Sequence, residues 1–264
     1  MQALGQTTQA RGREELWVCH LGVVEYREAL ALQQRIRAAR QQALIPDVLL
    51  CLEHPPVYTR GRRTGAGELP MGEDWYRRQG IDVLDCDRGG KVTYHGPGQL
   101  VGYPIVRVED VVAYVRTLER ALIAALAQEG IAARARAEEG PAFTGVWVED
   151  RKIASIGVHV NRGVTTHGFA VNVCNDLQPF QWIVPCGLEG VRMTSLIAES
   201  GGGPERMRCF RKRTAFQVAE ALGRRQRLVG RARLEAACVS PRHVSAASAA
   251  ERERPASALA ASAR

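Results

Sequence analysis

The sequence predicts an α+β domain with a mixed or antiparallel sheet and flanking helices. Three observations carry this. Short apolar runs bounded by Gly, Pro or charged turns recur along the chain, two longer segments repeat apolar residues at helical spacing, and alternating strands joined by tight turns form a meander over residues 144–173. The hydrophobic fraction of 45% among 264 residues suffices for one large core.

Residues 1–14 are polar and aperiodic and are expected to be a flexible lead-in. Leu16–Leu21 reads as a strand. Tyr26, Ala29, Leu30, Ile36 and Ala39 share one helical face, and Pro46 ends that helix. Val48–Leu52 is apolar throughout, as in a strand covered on both faces. Residues 60–72 are rich in Gly and Arg and form a loop, followed by a short helix at Trp75–Gln79 and a strand at Ile81–Leu84. Val111–Gln128 is a second amphipathic helix, with Gly130 just past its end. A strand meander follows over Thr144–Val148, Lys152–Val160 and Thr165–Val173, with turns at Glu149–Arg151 and Asn161–Gly163. Thr194–Glu199 starts a short helix, Phe210–Leu228 reads as the last helix, and the helices are expected on one side of the sheet. The catalytic domain spans 15–235, and 236–264 is a basic Ala/Ser/Arg-rich tail expected to be disordered.

Composition excludes several classes. No run reaches the roughly 18 apolar residues of a membrane span, and Met1–Glu15 carries no apolar signal region, so a cytoplasmic protein with no membrane partner is expected. The net charge of +8 resides in residues 201–264, which hold 14 Lys and Arg against 5 Glu; the first 200 residues hold 22 basic and 23 acidic side chains. A basic tail without interleaved aromatics does not make a nucleic-acid interface. The seven cysteines include no Cys-x-x-Cys pair, which argues against a disulfide framework or a zinc knuckle. A P-loop, a Rossmann fingerprint and the Gly-x-Ser-x-Gly nucleophile elbow are all absent.

Three stretches concentrate chemistry. In Arg88-Gly89-Gly90-Lys91-Val92-Thr93-Tyr94-His95 polar side chains bunch between glycines, more than two tight turns require, and the bare backbone would let a ligand approach. Lys152 opens the middle strand of the meander. On a turn it would be solvated; pointing inward, its ammonium would need a partner or loss of its proton. Cys186 lies between Pro185 and Gly187, better presented than Cys51 in its apolar strand. Either packing or chemistry suits it on local grounds, since an ordinary thiol with pKa near 8.5 is only a few per cent thiolate at neutral pH. His159 and His167 fall on adjacent strands about the 162–163 turn and read as facing or surface histidines rather than metal ligands.

In order, RGGKVTYHGPGQL (88–100), RKIASIGVHV (151–160), THGFAVNV (166–173) and PCGLEGVRMTSL (185–196) resemble the lipoyl(octanoyl) transferase family over about residues 15–230. The resemblance implies the fold of the biotin and lipoate protein ligase catalytic domains. It implies transfer of an octanoyl group from octanoyl-acyl carrier protein to a lysine of lipoyl domains, those of 2-oxoacid dehydrogenases and the glycine cleavage H protein. It implies Cys186 as acyl-thioester nucleophile and Lys152 as its activating partner and base. It also implies an acyl site at Arg88, Gly89, Gly90, Lys91, Val92, Thr93, Tyr94, His95, Ser155, Ile156, Gly157, Gly168, Phe169 and Ala170, with no metal, nucleotide or other cofactor. Backbone N–H groups near Gly187 or Gly157 are candidates for the oxyanion site, and Arg60, Arg62 and Arg63 for contacts to an acidic carrier. The competing readings are an ATP-dependent lipoate or biotin ligase of the same fold, which would not need Cys186, a non-catalytic acyl- or protein-binding module, and a basic RNA-binding protein that would need the tail.

Overall fold

Why the chain can bury a run as apolar as Val48–Leu52 is visible in the computed structural model, which describes residues 13–184 and 190–239. Strand β2 (Asp47–Glu53) lies inside an eight-stranded mixed sheet, antiparallel to β6 (Gln99–Ile105) and parallel to β1 (Glu15–Val23). Its side chains alternate. Leu49 and Cys51 enter one core with helices α3 (Val111–Ala127) and α5 (Arg206–Ala221), while Val48, Leu50 and Leu52 enter a second with α1 (Tyr26–Gln41). Helices therefore cover both faces of the sheet, not one. Each face needs its own cover because β2 is apolar on both.

The sheet continues from β6 to β9 (Val164–Asn172) and β8 (Arg151–Asn161), antiparallel throughout. These form the expected meander with β7 (Gly145–Val148), and the turns carry positive φ at Glu149 (54°) and at Arg162 and Gly163 (47° and 72°). The pair at 162–163 matches the twist of the two strands it joins. A two-residue strand, β10 (Arg192–Met193), runs parallel to the start of β8.

The last predicted helix is divided. Helix α5 begins earlier, at Arg206, and ends at Ala221; Arg225–Leu228 instead forms β11, an edge strand parallel to β1. Its charged residues suit an edge better than an interior strand. A final helix, α6 (Arg231–Ala237), buries Leu234 in the α1 core. The 60–72 loop contains a 3-10 turn at Ala66–Glu68.

A second, three-stranded sheet consists of β4 (Asp82–Asp85), β3 (Val57–Arg60) and β5 (Thr93–His95). Its own small core holds Tyr58, Tyr76, Tyr94 and Phe180. This sheet carries the Gly-rich segment to the face of β8 and β9. Helix α3 begins nearby, its N-terminus capped by the Asp110 carboxylate, which accepts from the Val112 and Ala113 N–H groups at 2.8 and 3.0 Å.

Candidate active site

A β-bulge brings Lys152 inward. Trp147 of β7 pairs with Lys152 and Val146 with Ala154, so Ile153 is the extra residue on β8. In a regular strand Lys152 and Ser155, three apart, would point to opposite faces. With the bulge both line one cavity, while Ile153 enters the core. The lysine is buried, at 1% exposure. Its Nζ stands 5.2 Å from the centroid of the Trp147 ring. The indole is itself fixed, donating to the Phe143 carbonyl at 2.9 Å, with the Arg136 guanidinium stacked on both aromatic rings. Gly145 completes the slot. At its φ of 135°, an added Cβ would lie 2.8 Å from Lys152 Cε and 2.4 Å from the Ala154 carbonyl oxygen. The Gly145 N–H donates to buried Glu119, whose other carboxylate oxygen takes Arg116 at 2.6 Å.

Cys186, with Pro185 and Gly187, lies outside the described residues. The chain on either side is tied to the cavity's surroundings. Val184 donates its N–H to the Glu68 carbonyl at 3.1 Å, and the Glu68 carboxylate binds Lys91 Nζ (2.8 Å) and the Val92 N–H (3.2 Å). On the far side Thr194 donates to the Lys152 carbonyl at 3.0 Å. None of the six described cysteines lines the cavity, and burial pushes the thiols of Cys19, Cys51, Cys174 and Cys238 up, Cys51 to about 12.

The Arg88–Gly90 segment crosses the end of β8 as a strap, with the Gly89 N–H donating to the Val158 carbonyl at 2.9 Å. A Cβ at Gly157 would stand 3.0 Å from the Gly89 oxygen. That glycine admits the strap's backbone, so ligand approach is not its only reason. Arg88 is a clamp. Buried, it donates to the Thr59 carbonyl (2.6 Å), the Thr59 hydroxyl (2.8 Å) and the Gly89 carbonyl (3.1 Å). Pleating then divides the segment that follows: Thr93 and His95 face the cavity, whereas Tyr94 packs against Tyr58 and Phe180. Tyr94 is thus the one residue of the expected acyl-site segments that does not line the cavity.

The cavity measures about 400 Å³, within the range of small-molecule sites. Val111, Val112, Val115, Ile156, Val158 and Phe169 give it apolar wall, and a polar wall comes from Tyr26, His95, Tyr103 and His167. His95 donates through Nδ1 to Gln99 Oε1 (2.7 Å), and burial, then the nearby His54 ring, holds it well below the ordinary imidazole range. His54 donates to the Val24 carbonyl (2.6 Å), accepts from the Tyr103 hydroxyl (2.7 Å), and is lowered by burial to about 4.

His159 and His167 do not face each other, because the ladder pairs His167 with Val158. His167 is buried and left-handed, with φ of 58°; its N–H donates to Gln33 Oε1 (2.7 Å) and its Nε2 to Asp87 (2.7 Å). The His167 hydrogen bond holds the Asp87 carboxyl at about 2. His159 reaches the same carboxylate at 3.6 Å. Sequence reasoning missed this group and the α3 valines, since neither the backbone turn nor the helix-end placement has a residue signature.

Residues 25–217 match the lipoyl protein ligase A/B catalytic domain. The chain belongs to that family. It is 52% identical over 172 residues to the octanoyltransferase of Solibacter usitatus, covering 64% of this chain and 76% of that one. It is 48% identical over 190 residues to that of Acidothermus cellulolyticus, covering 69% and 81%. Lipoate-protein ligase A bound with ATP shares the family fold at a TM-score of 0.63 and 18% identity, over 86% of this chain and 92% of that one. The bipartite lipoate protein ligase of Thermoplasma acidophilum does so at 0.65 and 16%, over 85% and 90%. The expected relation to lipoate ligase catalytic domains is thus met. Among the described residues no helix is long and apolar enough to cross a membrane, and no group of three His, Cys, Asp or Glu is arranged to hold a metal.

Proposed function

We propose that this chain transfers an octanoyl group from an acyl-carrier thioester to a lysine of lipoyl domains by way of Cys186. That it is an acyltransferase of protein lipoylation rests on the family and on relatives named octanoyltransferase. The donor, the acceptors and the residue roles are our reading. The observation that supports those roles best is the inward, bulge-set position of Lys152 in a cavity that none of the six described thiols lines.

In the first step the Cys186 sulfur attacks the donor carbonyl. The Cys186 proton passes to Lys152, a carbon–sulfur bond forms and the donor's breaks. The departing thiolate takes that proton from Lys152, leaving its amine neutral for the second step. One thioester replaces another at little net cost, so no nucleotide is consumed. An ammonium at Lys152 favours the attacking thiolate by charge. In the second step the acceptor amine attacks acyl-Cys186, a carbon–nitrogen bond forms, and the thiolate leaves. Neutral Lys152 takes the amine's proton, and amide formation makes the step downhill. Backbone N–H groups near Gly157 or Gly187 would steady the oxyanion. Burying the seven carbons beyond the carbonyl against Ile156, Val158 and Phe169 would contribute on the order of 5 kcal/mol.

The test is incubation with octanoyl-carrier protein without ATP, read by intact mass. An octanoyl adduct on the wild type, absent in Cys186→Ala, is the expected result. Acceptor modification that appears only with ATP would assign the chain to the ligase reaction instead.

A further inference from the structure

The cavity's charge does not match its acyl cargo. Among the described residues five cationic side chains line it, Arg63, Arg88, Lys91, Arg116 and Lys152, and no carboxylate does. An octanoyl chain is neutral, so this field serves another part of the ligand. Three of the five cations are engaged: Arg88 on Thr59, Lys91 on Glu68 and Arg116 on Glu119. Lys152 is sunk beside Trp147. Arg63 differs. It is exposed at the cavity, and no carboxylate pairs with it or with neighbouring Arg62 among the described residues. Both are nonetheless held by their backbones, since Arg62 donates its N–H to the Arg88 carbonyl and Arg63 to the Gly90 carbonyl, each at 3.1 Å. The guanidiniums therefore project from a segment tied to the strap itself. Arg60, the third arginine of that segment, is spent on Asp85 and Glu73.

We infer that Arg63, with Arg62 beside it, forms an anion subsite at the cavity mouth for the phosphate of the acyl donor's thiol-bearing arm. A planar guanidinium donates paired hydrogen bonds to phosphate oxygens, and one with no carboxylate partner gives up no ion pair to do so. The subsite lets the enzyme favour a phosphate-bearing thioester over a neutral one with the same acyl chain. This inference rests on the transferase reading above.

The experiment compares kcat/KM for octanoyl-4′-phosphopantetheine and octanoyl-pantetheine, donors that differ by the phosphate alone, in wild type, Arg63→Ala and Arg62→Ala/Arg63→Ala. The wild type is expected to prefer the phosphorylated donor about tenfold, as one charge-assisted contact gives. That ratio is expected to fall toward one in the double variant. A wild-type ratio of one, or a ratio that survives both substitutions, overturns the inference while leaving the transferase reading intact. A third arm supplies octanoate with ATP. Activity there that depends on Arg63, with no thioester transfer, would assign the phosphate to a nucleotide and reject both. Transfer from neither phosphorylated nor neutral thioester by the wild type rejects the transferase reading itself.

Discussion

Two buried cations line the same cavity and have opposite employment. Arg88 is surrounded by backbone acceptors, giving its hydrogen bonds to Thr59 and Gly89 and so fixing the strap above β8. Lys152 is set by a bulge against the face of Trp147 and the missing side chain of Gly145. The first site has the construction of a clamp. The second has the construction of a placed amine, with its surroundings shaped to fix where Nζ stands. Burial of a charge therefore does not by itself mark a structural residue; what surrounds the two side chains separates the clamp at Arg88 from the role proposed for Lys152.

The largest effect expected along this contrast is on Cys186 and Lys152. Cys186→Ala should lower octanoyl transfer by about 10⁴-fold or more, measured in single turnover. Lys152→Ala should lower it by about 10²–10⁴-fold, with the thermal midpoint reported beside the rate. Arg88→Ala should act through stability, costing roughly 3 kcal/mol in urea unfolding because Thr59 loses a buried donor. If Arg88→Ala left the unfolding midpoint unchanged, the clamp reading would fail.

Gly145→Ala sharpens the same contrast. The added methyl has to displace Lys152 or the Ala154 carbonyl, and a misplacement near 1 Å costs about 10²-fold in rate. A rate equal to wild type in a folded Gly145→Ala protein would show that Lys152 has slack.

The smallest effect is the pH dependence of stability. His54 and His95 are held neutral below their unfolded pKa. In that window the unfolded chain binds more protons, so stability is complete above about pH 6.5 and declines as pH falls toward 4. His54 accounts for at most about 3 kcal/mol of the decline. Asp87 adds a second loss, from about pH 4 down to 2, since its stabilisation is present only above its unfolded pKa. The difference between urea midpoints at pH 7 and 5 should narrow in His54→Gln, with His95 keeping the rest; an undiminished difference would move the effect elsewhere.

Much of this was legible in the residues. Alternation and turn chemistry gave β7, β8 and β9, the run at Val48–Leu52 gave β2, and ordered motifs located the strap and Lys152. What was not legible depended on register or on contacts distant in sequence. The bulge at Ile153 decides which way Lys152 points, and periodicity cannot report a single extra residue. The positive φ of His167 and its partners Gln33 and Asp87 come from segments far apart in the chain. The run from Phe210 read as one helix because its apolar spacing continues past Gly223, and only pairing with β1 makes Arg225–Leu228 a strand. Cys186 itself lies outside the described residues, so its role rests on sequence and family.

The coupling of Cys186 to Lys152 is tested most directly by the alkylation rate of Cys186 as a function of pH, followed on its own peptide by mass. The wild type should reach half its maximal rate below the pH of about 8.5 at which an ordinary thiol does so. In Lys152→Met the midpoint should rise by about one unit or more, since the ammonium proposed to favour the thiolate is removed. Superimposable profiles in the two proteins would contradict the account, because Cys186 would then form its thiolate without Lys152.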